Sequence, residues 1–273
     1  MSRLSRDTGH RTSTCVPILF DMKLRVQRRD RAARSGPELF LYERAFADCL
    51  ERIGLVDRRF EHALLIGCPD ASWPQRLGEV AQRVDVRDPG PLFATAADGE
   101  ALVEDEWNPS AGAYDLVLAI GTLDTVNDLQ HALRSIFQTI RAGGLLMGAI
   151  SGGETLPQLR SAMRVADFVS GAASPHVHPR IEASALAPLL AQAGFVMPVV
   201  DIDRVPVSYR SFERLVTDLR AMGATNILQA RSRRALSRQA LAGAAAAFAE
   251  AGDGSTTVEM FEIIHFAAWT PKG

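Results

Sequence analysis

The chain has 273 residues, 47% hydrophobic and 23% charged, which excludes disorder, collagen and coiled coil for its bulk. Its 30 Lys+Arg face 32 Asp+Glu for a net charge of -2, so the basic surplus expected of a nucleic-acid binder is missing. Three scattered cysteines, Cys15, Cys49 and Cys68, argue against a disulfide framework and a four-cysteine zinc site, and no apolar run is long enough to span a bilayer. Lys23 and Lys272 are the only lysines, and with the many alanines this reads as a GC-rich coding bias. Met1 to Thr14 is polar and Arg-containing with no apolar stretch behind it, so it does not read as a secretory signal. It also resembles a short mitochondrial presequence interrupted by Asp7. The preferred reading is a bacterial cytoplasmic protein, with the mitochondrial matrix as its place if the chain is eukaryotic.

Residues 1–36 form a basic tail and helix, in which Arg3, Arg6, Arg11, Lys23, Arg25, Arg28, Arg29, Arg31 and Arg34 face only Asp7, Asp21 and Asp30. A solvated charged face is the plain reading, and a lid or docking helix for an acidic partner is the functional one. Pro37 suits a first helical turn. Leu39, Phe46, Cys49, Leu50 and Ile53 then repeat at helical spacing, and Gly54 offers a left-handed cap. His62 to Gly67 reads as a strand buried on both faces, with weaker strands at Gln82–Val86 and near Ala101–Val103. Tyr114 to Ile120 is a further strand. Asn127 or Asp128 caps a helix carrying Leu129, Leu133, Ile136, Phe137 and Ile140, which Gly143-Gly144 stops before a strand at Leu145–Ile150. This alternation means a parallel sheet with helices on its faces.

Two helices follow, one with Leu156, Leu159, Met163 and Ala166, the other with Leu186, Leu189 and Leu190, ending at Gly194. Phe195–Asp203 reads as a strand, 211–251 as wholly helical, and Thr256–Trp269 as a long apolar strand. The expected fold class is therefore α/β: a mostly parallel sheet with an antiparallel final strand and a small helical cap. The expected units are 1–36 as tail and helix, 37–203 as the main domain, 204–255 as the cap insert and 256–273 as the final strand.

Ligands of open α/β sheets bind beyond the carboxyl ends of the strands. The first candidate is the turn Gly67-Cys68-Pro69-Asp70-Ala71, where a nucleotide-like ligand needs glycines for close backbone approach and finds only the first. The second is Asp85, whose distance past the turn suits an acid that accepts from both ribose hydroxyls. The third is Glu104-Asp105-Glu106, where one carboxylate is placed for an adenine amino group and a solvated loop is the alternative. The fourth is Ser174-Pro-His176-Val-His178-Pro179. Its two imidazoles point one way from an extended segment, as the start of a two-histidine, one-carboxylate iron site with Glu154 or Glu182, or as hydrogen-bonding histidines of a rigid loop. No metal is assigned to these residues. No Gly-x-Ser-x-Gly elbow or Cys/His pairing supports covalent hydrolysis.

The order of elements resembles the class I S-adenosylmethionine-dependent methyltransferases, with their Rossmann-like fold and reversed final strand. More specifically, the chain is similar to the methyltransferase-like mitochondrial complex I assembly factor, an arginine hydroxylase, and to its alphaproteobacterial relatives. A more distant similarity is to malonyl-carrier-protein methyltransferases of biotin synthesis. The segments that carry the resemblance are Phe20-Asp21 with Arg28-Arg29-Asp30-Arg31-Ala32-Ala33, Tyr114 to Val117, Val126 to Leu129, Gly148 to Leu156 with Leu159-Arg160, Ser174-Pro-His176, Ala193-Gly-Phe195, and Asp218 to Gly223.

The resemblance implies S-adenosylmethionine as cofactor, with Gly67 and Cys68 opening its loop, Asp85 at the ribose and Asp105 (or Glu104) at the adenine. It further implies that Gly121 to Val126 lines the methionine end. Its partner would be a protein substrate, an arginine-bearing iron–sulfur subunit of complex I, with no nucleic acid and no membrane span. Asp124, placed to hold a guanidinium, and His176 are the candidate catalytic residues. The family loop Asp-x-Gly-x-Gly-x-Gly departs here to Leu65, Gly67, Pro69 and Ala71, and the family's His-Trp after the fourth strand becomes Asp124-Thr125. Three readings follow: an enzyme acting on a protein side chain, a degenerate assembly scaffold on the same fold, and a small-molecule carboxyl methyltransferase.

Overall fold

The computed structural model describes residues 18–273; Cys15 and the arginines Arg3, Arg6 and Arg11 of the basic tail lie outside the described residues. Helix α1 (Met22–Ser35) starts at Asp21, whose carboxylate accepts from Leu24 N at 3.0 Å. Helix α2 (Phe40–Gly54) leads to β1 (Phe60–Ile66), α3 (Trp73–Leu77), β2 (Ala81–Asp88), α4 (Pro91–Ala96) and the short β3 (Glu100–Ala101). Next come β4 (Tyr114–Ile120), α5 (Leu129–Thr139), β5 (Ile140–Ser151), α6 (Pro157–Ser170) and α7 (Ala183–Ala193). The chain ends with β6 (Val196–Tyr209), α8 (Phe212–Ala221), α9 (Arg238–Glu250) and β7 (Thr257–Trp269).

The strands form one sheet in the order β3-β2-β1-β4-β5-β7-β6. The first five are parallel, and β7 runs antiparallel to both its neighbours. Side chains of a strand alternate between faces, and β1 divides accordingly. Leu64 and Ile66 join Val117, Leu133, Ile136 and Leu190 under α5 and α7, whereas Ala63 and Leu65 join Leu116, Phe46, Ile53 and Trp73 under α2 and α3. Burial on both faces is why residues 63–66 of β1 and 116–120 of β4 are apolar. A third cluster (Leu159, Met163, Phe212, Leu215, Ala244 and Phe248) packs α8 and α9 onto α6 as a cap. Glu259 of β7 fixes the start of α6 by accepting from Gln158 N at 3.2 Å and Leu159 N at 2.8 Å. Among the described residues no helix is long and apolar enough to cross a membrane.

The structure corrects several sequence expectations. Gly54 keeps a right-handed conformation, and α2 ends at Leu55 without a left-handed cap. Ile140 is not on the helix face but opens β5, and Gly143, at φ 69°, lies inside that strand rather than before it. The 211–251 stretch holds the two expected helices but is not wholly helical, since α8 stops before Gly223, at φ 70°, and α9 begins only at Arg238. Strand β6 runs past 203 to Tyr209, pairing residue by residue with β7, so the cap begins after a longer arm.

His178 sits in the loop before α7, edge-on to Phe20 at 5.4 Å, and its Nε2 accepts from Ile227 N at 3.0 Å. Burial pushes its pKa down to about 4. The unfolded chain therefore binds this proton first, and stability present above the ordinary histidine range is lost as pH falls toward 4. The loss attributable to this one group is about 3 kcal/mol between neutral pH and pH 4. Urea unfolding across that range should show a shallower acid loss for His178→Gln than for the wild type; parallel curves would contradict a neutral buried His178.

Candidate active site

Gly67 follows β1 at φ 84°, and a Cβ there would stand 2.2 Å from Ile120 O, so the first position of the loop requires glycine. Its N–H donates to Arg87 O at 2.8 Å, which brings the loop over the end of β2. Cys68 is buried, its thiol donates to Asp70 O at 3.2 Å, and burial pushes its pKa up to about 12. That thiol stays protonated and is no nucleophile. Leu65, where the resemblance leads one to expect an acid, is fully buried in the apolar layer under α2 and α3.

Asp85 is not at the crevice. It pairs in register with Leu64 in the middle of β2, accepts from Tyr114 Oη at 2.8 Å, and lies 2.9 Å from His62 Nε2 with its side chain half exposed. Strand β2 does not end near Val86 but continues to Asp88, because Pro89-Gly90 is what stops it. Asp88 is thus the acid at the carboxyl edge, fully buried beside Gly67. It accepts from Cys68 N at 2.8 Å, Gly90 N at 2.6 Å, Arg29 Nε at 2.8 Å and Arg29 Nη2 at 2.5 Å.

The acidic cluster divides its work. Asp105 does not face a ligand: it accepts from Asn127 N and Asp128 N at 3.0 and 2.9 Å and so shapes the start of α5. Glu104, 1% exposed, is the carboxylate that turns inward, where Arg25 Nη1 and Nη2 donate to it at 2.6 and 2.9 Å. Arg25 Nη2 also donates to Thr122 O at 2.7 Å. Burial works against the Arg29 charge, but the Asp88 carboxylate outweighs it and raises the Arg29 pKa.

Gly121 takes φ 61° after β4, and a Cβ there would meet the Tyr42 ring at 2.5 Å. Tyr42 in turn donates to Met222 O at 3.1 Å, tying α2 to the cap. Beyond the ends of β4 and β5 lies a cavity of about 890 Å³, its open mouth included, lined by Tyr42, Gly121, Asp124, His178, Arg180 and Glu262. Asp124 is ion-paired with Arg180, and both side chains are 7% exposed. Asp124 Oδ1 and Arg180 Nε are both buried without a hydrogen-bond partner, and burial pushes the Arg180 pKa down to about 10.

His176 does not join Asp124. Its Nε2 is 2.8 Å from Asp167 Oδ1, and it lines a neighbouring cavity of the cap rather than the one holding Asp124. With His176 on Asp167 and His178 on Ile227, the two imidazoles do not converge, and among the described residues no three metal-binding side chains do. The residues missed by sequence reasoning are Asp88, Tyr42, Arg180 and the inward roles of Arg25 and Arg29, whereas Glu104 was the alternative given beside Asp105. Pro89-Gly90 was the available signal for Asp88, and the i, i+4 spacing of Arg25 and Arg29 was the signal for a common helix face.

Asp88→Asn leaves the Arg29 charge buried and unpaired, and should cost about 3–5 kcal/mol in denaturant unfolding. Asp85→Asn, at a half-exposed site, should cost about 1 kcal/mol or less. Equal losses, or the larger one at Asp85, would contradict this assignment of the edge acid.

A methyltransferase domain model matches residues 39–198. The chain is 32% identical over 268 residues to Arginine-hydroxylase NDUFAF5, mitochondrial, of Danio rerio, covering 93% of this chain and 83% of that protein. It is 30% identical over 162 residues to the Malonyl-[acyl-carrier protein] O-methyltransferase of Laribacter hongkongensis, covering 59% of this chain and 53% of that one. Its fold is like that of the N-methyltransferase NodS from Bradyrhizobium japonicum, solved in complex with S-adenosyl-L-homocysteine, at TM-score 0.50 and 15% identity over 91% of this chain and 99% of NodS. With the Rossmann-like sheet, its reversed last strand and this sequence match, the chain belongs to the class I S-adenosylmethionine-dependent methyltransferase family, together with the mitochondrial arginine hydroxylases.

Proposed function

We propose that this chain is an S-adenosylmethionine-dependent enzyme that modifies a protein side chain, an arginine of an iron–sulfur subunit, during assembly of respiratory complex I. The observation that carries the reading is the Asp124 carboxylate in the cavity beyond β4, buried yet with Oδ1 unpartnered. A buried acceptor without a donor is costly, and an incoming guanidinium supplies the missing donor. The protein target comes from the resemblance to the arginine hydroxylases, and the place of action follows as the mitochondrial matrix or the bacterial cytoplasm.

The cofactor's fit is decided by the edge residues. Gly67 lets backbone approach closely, the paired oxygens of Asp88 suit two ribose hydroxyls, and Glu104 suits an adenine amino group. The acids are right in kind and place, but in the arrangement described Arg29 and Arg25 hold both of them. Leu65, Pro69 and Ala71 take away a carboxylate, an N–H and a glycine. When bound, the cofactor supplies a methyl group activated by a sulfonium. The chain's own residues do the rest: Asp124 orients the guanidinium, Arg180 holds the Asp124 carboxylate in position, and Tyr42, bonded to Met222 O, walls the cavity.

A second reading, a scaffold without catalysis, is favoured by those same arginine-held acids. Incubating the protein with S-adenosylmethionine and the iron–sulfur subunit, followed by peptide mass spectrometry, separates the two. The enzyme reading expects one arginine to gain the mass of a methylene, and Asp124→Asn to slow this by about 10- to 100-fold. Stable co-purification with no arginine changed would favour the scaffold.

A further inference from the structure

We propose that helix α1 is a built-in competitor of the adenosyl cofactor: Arg25 and Arg29 hold Glu104 and Asp88 as stand-ins, and cofactor binding is coupled to release of the helix. The inference rests on the cofactor reading above and concerns how that site is controlled. Asp88 offers about four acceptor positions, and all are taken, by two arginine donors and by the backbone of Cys68 and Gly90. Ribose hydroxyls therefore have no acceptor there until Arg29 withdraws. Space is taken as well as charge. A Cβ on Gly90 would lie 2.9 Å from Arg29 Cβ, and the Arg29 guanidinium lies 5.3 Å from the Phe93 ring centre. At Glu104 both oxygens accept from Arg25.

The inner face of the helix is held mainly by charge: its buried residues are Arg25, Arg29 and Ala32, and of its apolar side chains Met22 and Leu24 are part-buried against Phe20, Ile227 and Leu228. Its N-terminal tether joins polar contacts, Arg231 Nη2 to Asp21 Oδ2 at 3.0 Å and Asn127 Oδ1 accepting from Leu19 N and Phe20 N at 2.8 Å, to a small apolar cluster in which buried Phe20 meets Ile227, Leu228 and the His178 ring. Phe20 adds one bridge to Leu228 of the cap. A ligand shifts such an equilibrium by its preference for the released state, and an adenosyl group has that preference because it needs the same acids. Release also reaches the other half of the site. Arg25 is bonded to Thr122 O, two residues before Asp124, so its withdrawal frees the loop that carries the guanidinium acceptor.

The probe is S-adenosylhomocysteine, with binding read by calorimetry and helix release by amide hydrogen exchange over residues 22–35. The expected result is faster exchange of α1 on adding the ligand to the wild type, and affinity raised about 10-fold or more in Arg29→Gln. Because Arg29→Gln strands Asp88 in the interior, Arg231→Gln provides a second variant; it loosens the tether without touching either acid and should also bind more tightly. A wild type that binds nothing while either folded variant binds supports the latch as well. Binding to the wild type with α1 exchange unchanged or slowed overturns the latch and leaves the cofactor reading standing. Binding by neither the wild type nor the folded variants overturns both.

Discussion

Two buried guanidinium–carboxylate forks, Arg25 to Glu104 and Arg29 to Asp88, decide what the carboxyl edge of this sheet can do. Ion pairs of this kind add little net stability over an apolar contact, because desolvation offsets most of the attraction, yet breaking one by removing a partner is costly. Their effect is positional. They set α1 across the ends of β2 and β3, and α1 then meets α4 and the cap helix α8. The open space begins against Arg25 and Arg29 and extends along the edge beyond β4 and β5, where Tyr42, Asp124 and Arg180 stand.

The edge thus divides into a filled half and an open half. In the filled half, Cys68 N, Gly90 N and two donors of Arg29 satisfy Asp88, and the loop after β1 carries Pro69 and Ala71 beyond its one glycine, Gly67. In the open half, Asp124 and Arg180 meet in a cavity with one polar atom on each left unpaired. Thr122 O, which accepts from Arg25, joins the halves. Family membership explains the shared frame, while these acid–arginine pairings belong to this chain's own side chains.

The central strands were legible in the sequence because burial on both faces leaves continuous apolar runs at His62–Ile66, Tyr114–Ile120 and Leu145–Ile150. The antiparallel end of the sheet was legible too. The end of β2 was not: its residues are largely charged and part exposed, so hydrophobicity does not mark where it stops, and the edge acid was read at Asp85 instead of Asp88. Nor were the roles of Arg25 and Arg29. An arginine on a charged helix looks solvated until its partner is known, and these partners lie 79 and 59 residues away. Asp105 and Glu104 are neighbours in sequence, and only the turn of the short helix carrying them decides which faces inward. His176 and His178 share an extended segment, but their partners Asp167 and Ile227 come from opposite sides of the chain and separate them.

The central claim is that Asp88 and Glu104 serve either α1 or an adenosyl group, never both at once. A crystal structure of the full chain grown with saturating S-adenosylhomocysteine measures this directly. The account requires ligand hydroxyls on Asp88, with Arg29 and Arg25 turned away from both acids. A ligand seated on the sheet edge with both arginine forks intact would contradict it.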